Sequence, residues 1–348
     1  MIESVFAPDW RGGVAYQRLL AEALPAHGVR VSFLANYKRV LPLRRLMRGC
    51  AGDILHLHWP EAYYPVKGDV WDWFRRARFP FDLAGAVRNR ALAVTAHNLH
   101  AHNRANEAFE FRNSRAALRM ARVVFAHSEI AKQRLIETFG LLPERIRVIP
   151  HGDLSVTIGP PVSAAEARAA LGLKDGRLAL VFGAVEPYKG QEEIIAWWKQ
   201  AKPDATLAIV GKPHTDEYRA HIAQLTAGVP NIVTHFGWLN DAQFKLWLCA
   251  ANVTIFNYRQ IFTSGAANLA RSWGLPILLP KQLDTVVLAE PSPFVHRFDL
   301  IDSDFAAQLD EAFRVPPDFA AAAEWRATCT WDTVARITAD GYRMALAA

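Results

Sequence analysis

Short apolar runs alternate with longer amphipathic stretches along the whole chain. The first run, residues 4–7, reads as a strand, followed by the loop 8–13 (Pro-Asp-Trp-Arg-Gly-Gly) and a helix over 14–26 that stops at His27-Gly28. A strand over 29–34 completes a β-loop-α-β unit, the opening of a doubly wound sheet. Apolar runs at 53–58, 91–96, 123–126 and 145–150 repeat the strand signal. Pro and Gly then gather at 157–163, a composition shift typical of a domain boundary. Beyond it the alternation restarts: helix 164–171, strand 178–182, a helix from 191, strand 207–210, helix 215–226, strand 232–235 and helix 241–249. Two successive alternating series predict two α/β domains, and 348 residues suit two such cores.

The stretch 251–280 organises the second half. A β-rich run at 253–256 turns through Asn257, Tyr258, Arg259 and Gln260. A Thr263-Ser264-Gly265 step follows, then a helix over 266–273 halted by Gly274 and Pro276, and a buried strand at 277–279. Strand, polar turn, Ser-Gly and helix start put unsatisfied backbone N–H groups and a positive dipole end at a strand's carboxyl edge. That is an anion site, most often for phosphate.

Composition adds compartment and partners. The chain is 51% hydrophobic, so burial is sufficient and wholesale disorder is excluded. Three separated cysteines (Cys50, Cys249, Cys329) fit a reducing cytoplasm, and no apolar run approaches the ~20 residues that span a bilayer. The N-terminus reads as strand and turn rather than as a signal peptide. Residues 1–150 hold 23 Lys+Arg against 13 Asp+Glu, whereas the remainder holds 17 against 21. The basic half should face something anionic. Residues 37–48 (YKRVLPLRRLMR) and 71–81 (WDWFRRARFPF) mix basic, aromatic and aliphatic side chains, as interfacial membrane contact requires. The alternative is a solvated helix face with its aromatics turned inward. Nucleic acid is the poorer partner, since no binding module is present.

Candidate chemistry collects at strand ends. His56 and His58 share one face of their strand, capped by Trp59, Pro60 and Glu61. Another strand ends in His97-Asn98, with His100, His102 and Asn103 beyond it, and a third in His127-Ser128. Three neighbouring strands ending in His or Glu predict a rim of proton-transfer groups. Zinc is rejected, because the HxH at 56–58 has no further ligands at metal spacing. Gly12-Gly13 permits close backbone approach at a helix start but lacks GxGxxG spacing. Asp302-Ser303-Asp304 matches a metal-holding DxD string, yet its place before an amphipathic run reads as a helix cap.

Taken in order, Gly12-Gly13, VIPHGD (148–153), FGAVEPYKG (182–190), LAIVGKP (207–213), the Ser264-Gly265 helix with GLP (274–276) and the late CTWDTVARITADGYRMAL (329–346) resemble the GT-B glycosyltransferases. The resemblance implies two Rossmann-like domains facing across a cleft. It places an acceptor-binding domain at 1–155, a linker at 156–163, a nucleotide-sugar domain at 164–328 and a terminal helix, 329–348, crossing back to the first. The chain departs from the family 4 pattern: its glutamate pair falls on Ile261 and Leu269, and its Arg after the first-strand glycine is Ala184. HLHWPE (56–61), the HN of TAHN (95–98), PYKG (187–190) and YRQ followed by SG (258–265) look more like the β-mannosyltransferases of xanthan-type exopolysaccharide assembly.

That resemblance implies inverting transfer of mannose from GDP-mannose to a polyprenyl-diphosphate-linked oligosaccharide, at the cytoplasmic face of the inner membrane. No metal and no cofactor beyond the nucleotide sugar is expected. The donor cradle is expected from Gly12, Gly13, Gly183, Tyr188, Lys189, Tyr258, Arg259, Thr263, Ser264, Gly265 and Asn268. Positive charge and backbone donors there would stabilise a departing diphosphate. Asp9 or Glu61 is the expected base and His97 a donor-sugar contact, with His58, Trp59 and His127 on the acceptor side. The alternatives are a retaining family-4-like transferase using UDP-glucose, an epimerase, and a non-catalytic glycan- or membrane-binding module.

Overall fold

The computed structural model describes residues 1–35, 40–64, 71–98, 107–259, 261–283, 292–299 and 303–347. Tyr37, Lys38 and Arg39 of the first basic run, His100, His102, Asn103, Gln260 and Asp302 lie outside the described residues. The chain forms two compact units, Met1–Gly152 with Thr328–Ala348, and Asp153–Ala327.

In the first unit the elements run β1 (Ile2–Ala7), α1 (Ala15–Ala23), β2 (Val29–Phe33), α2 (Pro42–Met47), β3 (Ile54–Leu57), α3 (Asp72–Ala86), β4 (Ala91–Thr95), α4 (Glu107–Met120), β5 (Val123–Ala126), α5 (Glu129–Phe139) and β6 (Ile146–Val148). All strand pairs are parallel, in the order β2-β1-β3-β4-β5-β6. Such strands are covered on both faces and read as continuous apolar runs, as LHL-type and ALAVT sequences do. Local chemistry fixes the helix ends: Ser128 caps α5 by accepting from the Ala131 amide, and Gly140, at φ +63°, ends it. Asp82, buried on α3, accepts from the amides of Leu43 and Arg44 and so ties the start of α2 to α3.

The second unit continues with α6 (Ala164–Leu171), β7 (Leu178–Phe182), α7 (Gln191–Ala201), β8 (Thr206–Gly211), α8 (Asp216–Thr226), β9 (Ile232–Phe236), α9 (Asp241–Ala250), β10 (Val253–Ile255), α10 (Gly265–Ser272), β11 (Ile277–Pro280), β12 (Val295–Phe298), α11 (Phe305–Arg314) and α12 (Ala323–Thr328). Its sheet is again parallel, in the order β12-β11-β10-β7-β8-β9. The winding therefore reverses between β7 and β10, the switch point where ligands of open α/β sheets bind. Apolar clusters fill both faces, one around Phe182, Phe256 and Trp273, the other around Trp198, Ile209 and Phe305.

The last helix, α13 (Trp331–Ala347), belongs to the first unit. Its Val334, Ala335, Ala339 and Tyr342 are fully buried against Phe6, Leu20 and Phe125. Gly341 is required there, because a Cβ would stand 2.7 Å from the Phe125 ring. The cap expected at 302–304 takes a different form. Asp304 precedes α11 without capping it; its carboxylate accepts from the Asp299 amide and faces Lys281.

Candidate functional site

Two polar groupings stand out, one in each unit, and each lies at the carboxyl edge of its sheet.

In the second unit, the loops after β7 and β10 meet at the switch point. Gly183 leaves β7 at φ +99°, a conformation that leaves the loop backbone open to Lys189. Lys189 is buried to 8% exposure, and among the described residues no carboxylate comes within ion-pair distance of its ammonium. Its Nζ lies 5.6 Å from the Tyr258 ring centre and 5.9 Å from that of Tyr188. Burial pushes the ammonium down to about 8, with Glu186 partly opposing the shift. A buried cation without a carboxylate partner is costly unless an anion neutralises it. Ala266, at the start of α10, is the next nearest side chain to Gly183. The amides of Gly265 and Ala266 have no acceptor inside their own helix. The ammonium and the start of α10 thus flank the same point beside Gly183.

Three expected cradle residues are used differently. The Ser264 hydroxyl caps α10, accepting from the Ala267 amide and pairing with the Tyr258 hydroxyl at 2.8 Å, so it orients the cradle and is already engaged. Asn268 turns back on its own helix: its Nδ2 donates to the Ser264 carbonyl at 2.9 Å, because an amide at this spacing finds the i−4 oxygen first. Arg259 is exposed and ion-paired with Glu192 and Glu193 on α7, and its amide donates to the Tyr188 carbonyl. It staples the β10 loop to α7. Thr263 is half-buried beside Ser264. Gly12 and Gly13 are exposed in the first unit; a Cβ on either would meet nothing within 4 Å, so no close backbone approach requires them.

Beside the cradle an open hollow of about 490 Å³ is lined by Ala184, Glu186, Lys212, His214, Trp238 and Phe244. Ala184 was noted from the sequence only as a departure from the family 4 pattern, and the others were not named as site residues. The signal was present: β7, β8 and β9 each end in a glycine at positive φ, Gly183, Gly211 and Gly237. At Gly211 a Cβ would stand 1.8 Å from the Gly183 carbonyl oxygen, so the strand ends approach backbone to backbone. Trp238, 72% exposed, presents a flat apolar face at this rim.

In the first unit the histidines form a packed column rather than an open rim. His56, His58 and His97 are buried, His151 nearly so and His127 half-buried, beneath α1 and α13. Tyr16 stands edge-on or tilted to His58, His97, His127 and His151, with centroids between 4.9 and 6.0 Å. His56 pairs with the Tyr342 hydroxyl at 2.5 Å and with Thr95 at 2.8 Å. Burial drives the imidazoles towards the neutral form, with His56 and His127 down to about 3 and His151 to about 4. His97 lies flat on Trp59 at 4.3 Å and is 5% exposed, so its ring is held from one side by the indole.

The two base candidates separate physically. Asp9 holds Arg11 in a two-pronged pair at 2.9 Å, and that partner keeps its carboxyl below the usual range, a poor proton acceptor. Glu61 is half-buried, accepts from Asn98 Nδ2 at 2.9 Å, and burial raises its carboxyl. Among the described residues no group of three or more His, Cys, Asp or Glu could hold a metal ion.

Residues 4–152 match the sequence profile of Glycosyltransferase Family 4. A GDP-mannose:glycolipid 4-beta-D-mannosyltransferase of Xanthomonas campestris pv. campestris is 25% identical over 245 residues, 68% of this chain. The match spans 64% of that relative, just under two thirds of its length. Sucrose-phosphate synthase from Thermosynechococcus elongatus superposes over 100% of this chain and 99% of its own at TM-score 0.76 and 16% identity. Anabaena HepE in complex with UDP-glucose does so over 98% and 99% at TM-score 0.69 and 16% identity. The fold is GT-B. The family profile lies within the first unit, and the curated relative is matched over part of its length. In GT-B terms, the Lys189 cradle lies in the second Rossmann-like unit and the imidazole column in the first.

Proposed function

We propose that this GT-B chain transfers mannose from GDP-mannose, with inversion, to a lipid-linked oligosaccharide. The observation that carries the reading is Lys189, a buried ammonium with no carboxylate partner among the described residues, beside the start of α10 at the switch point of the second sheet. Diphosphate oxygens supply the missing negative charge, and the same groups stabilise the nucleoside diphosphate as it leaves. The hollow at Trp238 takes the nucleoside, its indole offering a stacking face. Glu61 takes the proton of the attacking hydroxyl, since its raised carboxyl is closer to the working pH than that of Asp9. The choice of GDP-mannose and a glycolipid acceptor rests on the named activity of the Xanthomonas relative.

The acceptor's lipid implies a membrane surface. Among the described residues no helix is long and apolar enough to cross a bilayer. The first unit instead exposes Trp71, Trp73 and Phe81 on or beside α3, with Arg44 and Arg45 exposed on α2. Apolar insertion with flanking cations fits an anionic leaflet, on the cytoplasmic side where nucleotide sugars are made.

A thermal-shift comparison of GDP-mannose with UDP-glucose tests the donor, because a ligand that binds only the folded state raises its melting temperature. A clear shift with GDP-mannose is expected, lost in Lys189→Met. A shift with UDP-glucose alone would replace the donor, and equal shifts in wild type and Lys189→Met would remove the cradle.

A further inference from the structure

Behind Glu61 the first unit carries a small, partly open chamber of about 20 Å³, where Glu61, His58, His97, Thr95, Asn98 and Ser114 meet an apolar wall that includes Val94 and Leu118. That volume exceeds the ~10–15 Å³ needed for one water, and its lining is polar enough to hold it. Both ring nitrogens of His58 and the Nε2 of His97 are buried without a hydrogen-bond partner among the described residues. Unsatisfied buried imidazole nitrogens are expensive, and a neutral ring offers one donor and one acceptor. A water has two protons and two lone pairs, enough to serve one nitrogen of each ring and the carboxylate together.

We infer that the chamber holds one ordered water linking the Glu61 carboxylate to His58 and His97, which makes these two imidazoles positioning residues for Glu61. The water donates one proton to the carboxylate and one to a ring nitrogen of His97, and accepts from a ring N–H of His58. No proton is transferred and both rings stay neutral, as their burial demands. The linkage gives the carboxylate a further donor beside Asn98 and its own backbone amide, and favours its ionised form against the burial that opposes it. Glu110 on α4 acts the other way, its negative charge disfavouring the Glu61 anion, while Tyr64 hydrogen-bonds Ser114 beside the chamber. His97 is fixed from its other side by the stacked Trp59.

The inference rests on the reading of Glu61 as base only for its consequence in turnover. A crystal structure of the full chain, at a resolution that shows ordered waters, should place a single water in the chamber within hydrogen-bond distance of Glu61. A dry chamber, or one filled by a side chain, overturns the proposal. For the positioning role, ¹³C NMR of glutamate-labelled protein follows the Glu61 carboxyl through pH, assigned by its loss in Glu61→Gln. In His97→Phe the midpoint should rise by about one pH unit, and in His97→Asn, which can still hold the water, by clearly less. An unmoved midpoint in the Phe variant overturns the link. Turnover of GDP-mannose by Glu61→Gln tests the base separately. If it persists, the base assignment falls while the water stands.

Discussion

The ammonium of Lys189 lies 3.2 Å from the point where a Cβ on Gly183 would stand. The first strand of the second sheet and the lysine that follows it are therefore fitted to each other through the absence of one carbon. Gly183→Ala would force a residue with a side chain to φ +99° and push the ammonium away from the α10 amides. The strain costs about 1–3 kcal/mol of stability. Donor affinity should fall at least ~10-fold through displaced charge. Isothermal titration with GDP-mannose and a thermal melt read the two effects separately: a lowered melting temperature together with at least ~10-fold weaker donor binding is the expected pattern. An unchanged dissociation constant would show that Lys189 can move without consequence.

Because burial holds Lys189 at about 8, donor binding should respond to pH on the alkaline side. Below that value the ammonium is charged and attracts the diphosphate; above it the free protein carries a neutral amine and must take up a proton to bind. Affinity is thus expected to be flat from about pH 6 to 7.5 and then to weaken by up to ~10-fold for each unit of pH, until the pKa of the bound form is reached. Lys189→Arg, charged throughout this range, should remove the alkaline decline even if its affinity is lower. A decline of equal steepness in that variant would assign the titration to another group.

Much of this architecture was legible because parallel strands write themselves as short apolar runs. Strand 178–182 and helix 164–171 fall where periodicity puts them, and Ser163 and Gly172 fix the helix ends with their own local bonds. Other elements were hidden by their surroundings. β12 is a four-residue edge strand, VHRF, with only Phe298 buried, so no apolar run announces it. α3 carries Pro80 within it, and α2 is a short helix begun by Pro42 and held by Asp82 from a distant segment. In the site, residue type pointed to Lys189 but could not separate it from Arg259. The difference lies in Glu192 and Glu193, which follow Lys189 on α7 and capture the arginine across space. Likewise, histidines at strand ends are visible in sequence. That α1 and α13 bury them follows only from tertiary packing, and Tyr342 lies 286 residues beyond His56.

The exposed aromatics of the first unit predict a salt-sensitive, aromatic-dependent affinity for anionic vesicles. Trp73 is 64% and Phe81 75% exposed, and at eight positions apart they share one face of α3. Sedimentation with phosphatidylglycerol vesicles should retain the protein at low salt and release much of it at high salt. Burying one such aromatic contributes about 1.5–3 kcal/mol, so Trp73→Ser with Phe81→Ser should lower partitioning at least ~10-fold without altering melting temperature. Equal sedimentation of wild type and the double variant would mean that these rings do not meet lipid.

The imidazole column makes the first unit sensitive to acid. His56, His127 and His151 titrate at about 3 to 4 in the folded chain, whereas an unfolded histidine titrates near 6.5. The unfolded state therefore binds more protons throughout the interval between these values, and stability falls as pH drops from 6.5 towards 4. At pH 5 each such residue subtracts about 2 kcal/mol, so the three together remove on the order of 6 kcal/mol, comparable with the whole stability of an ordinary domain. Glu61 and Asp82, whose carboxyls are raised by burial, act in the opposite direction but mainly nearer their own range. Urea unfolding from pH 7.5 to 5, followed by near-ultraviolet circular dichroism, should show steep loss beginning close to pH 6.5, above the range of ordinary carboxylates. Replacing His151 by Asn should reduce the proton uptake on unfolding by close to one. A stability that stays level down to pH 5, or a slope untouched by His151→Asn, would mean that the column is hydrated and charged in the folded protein.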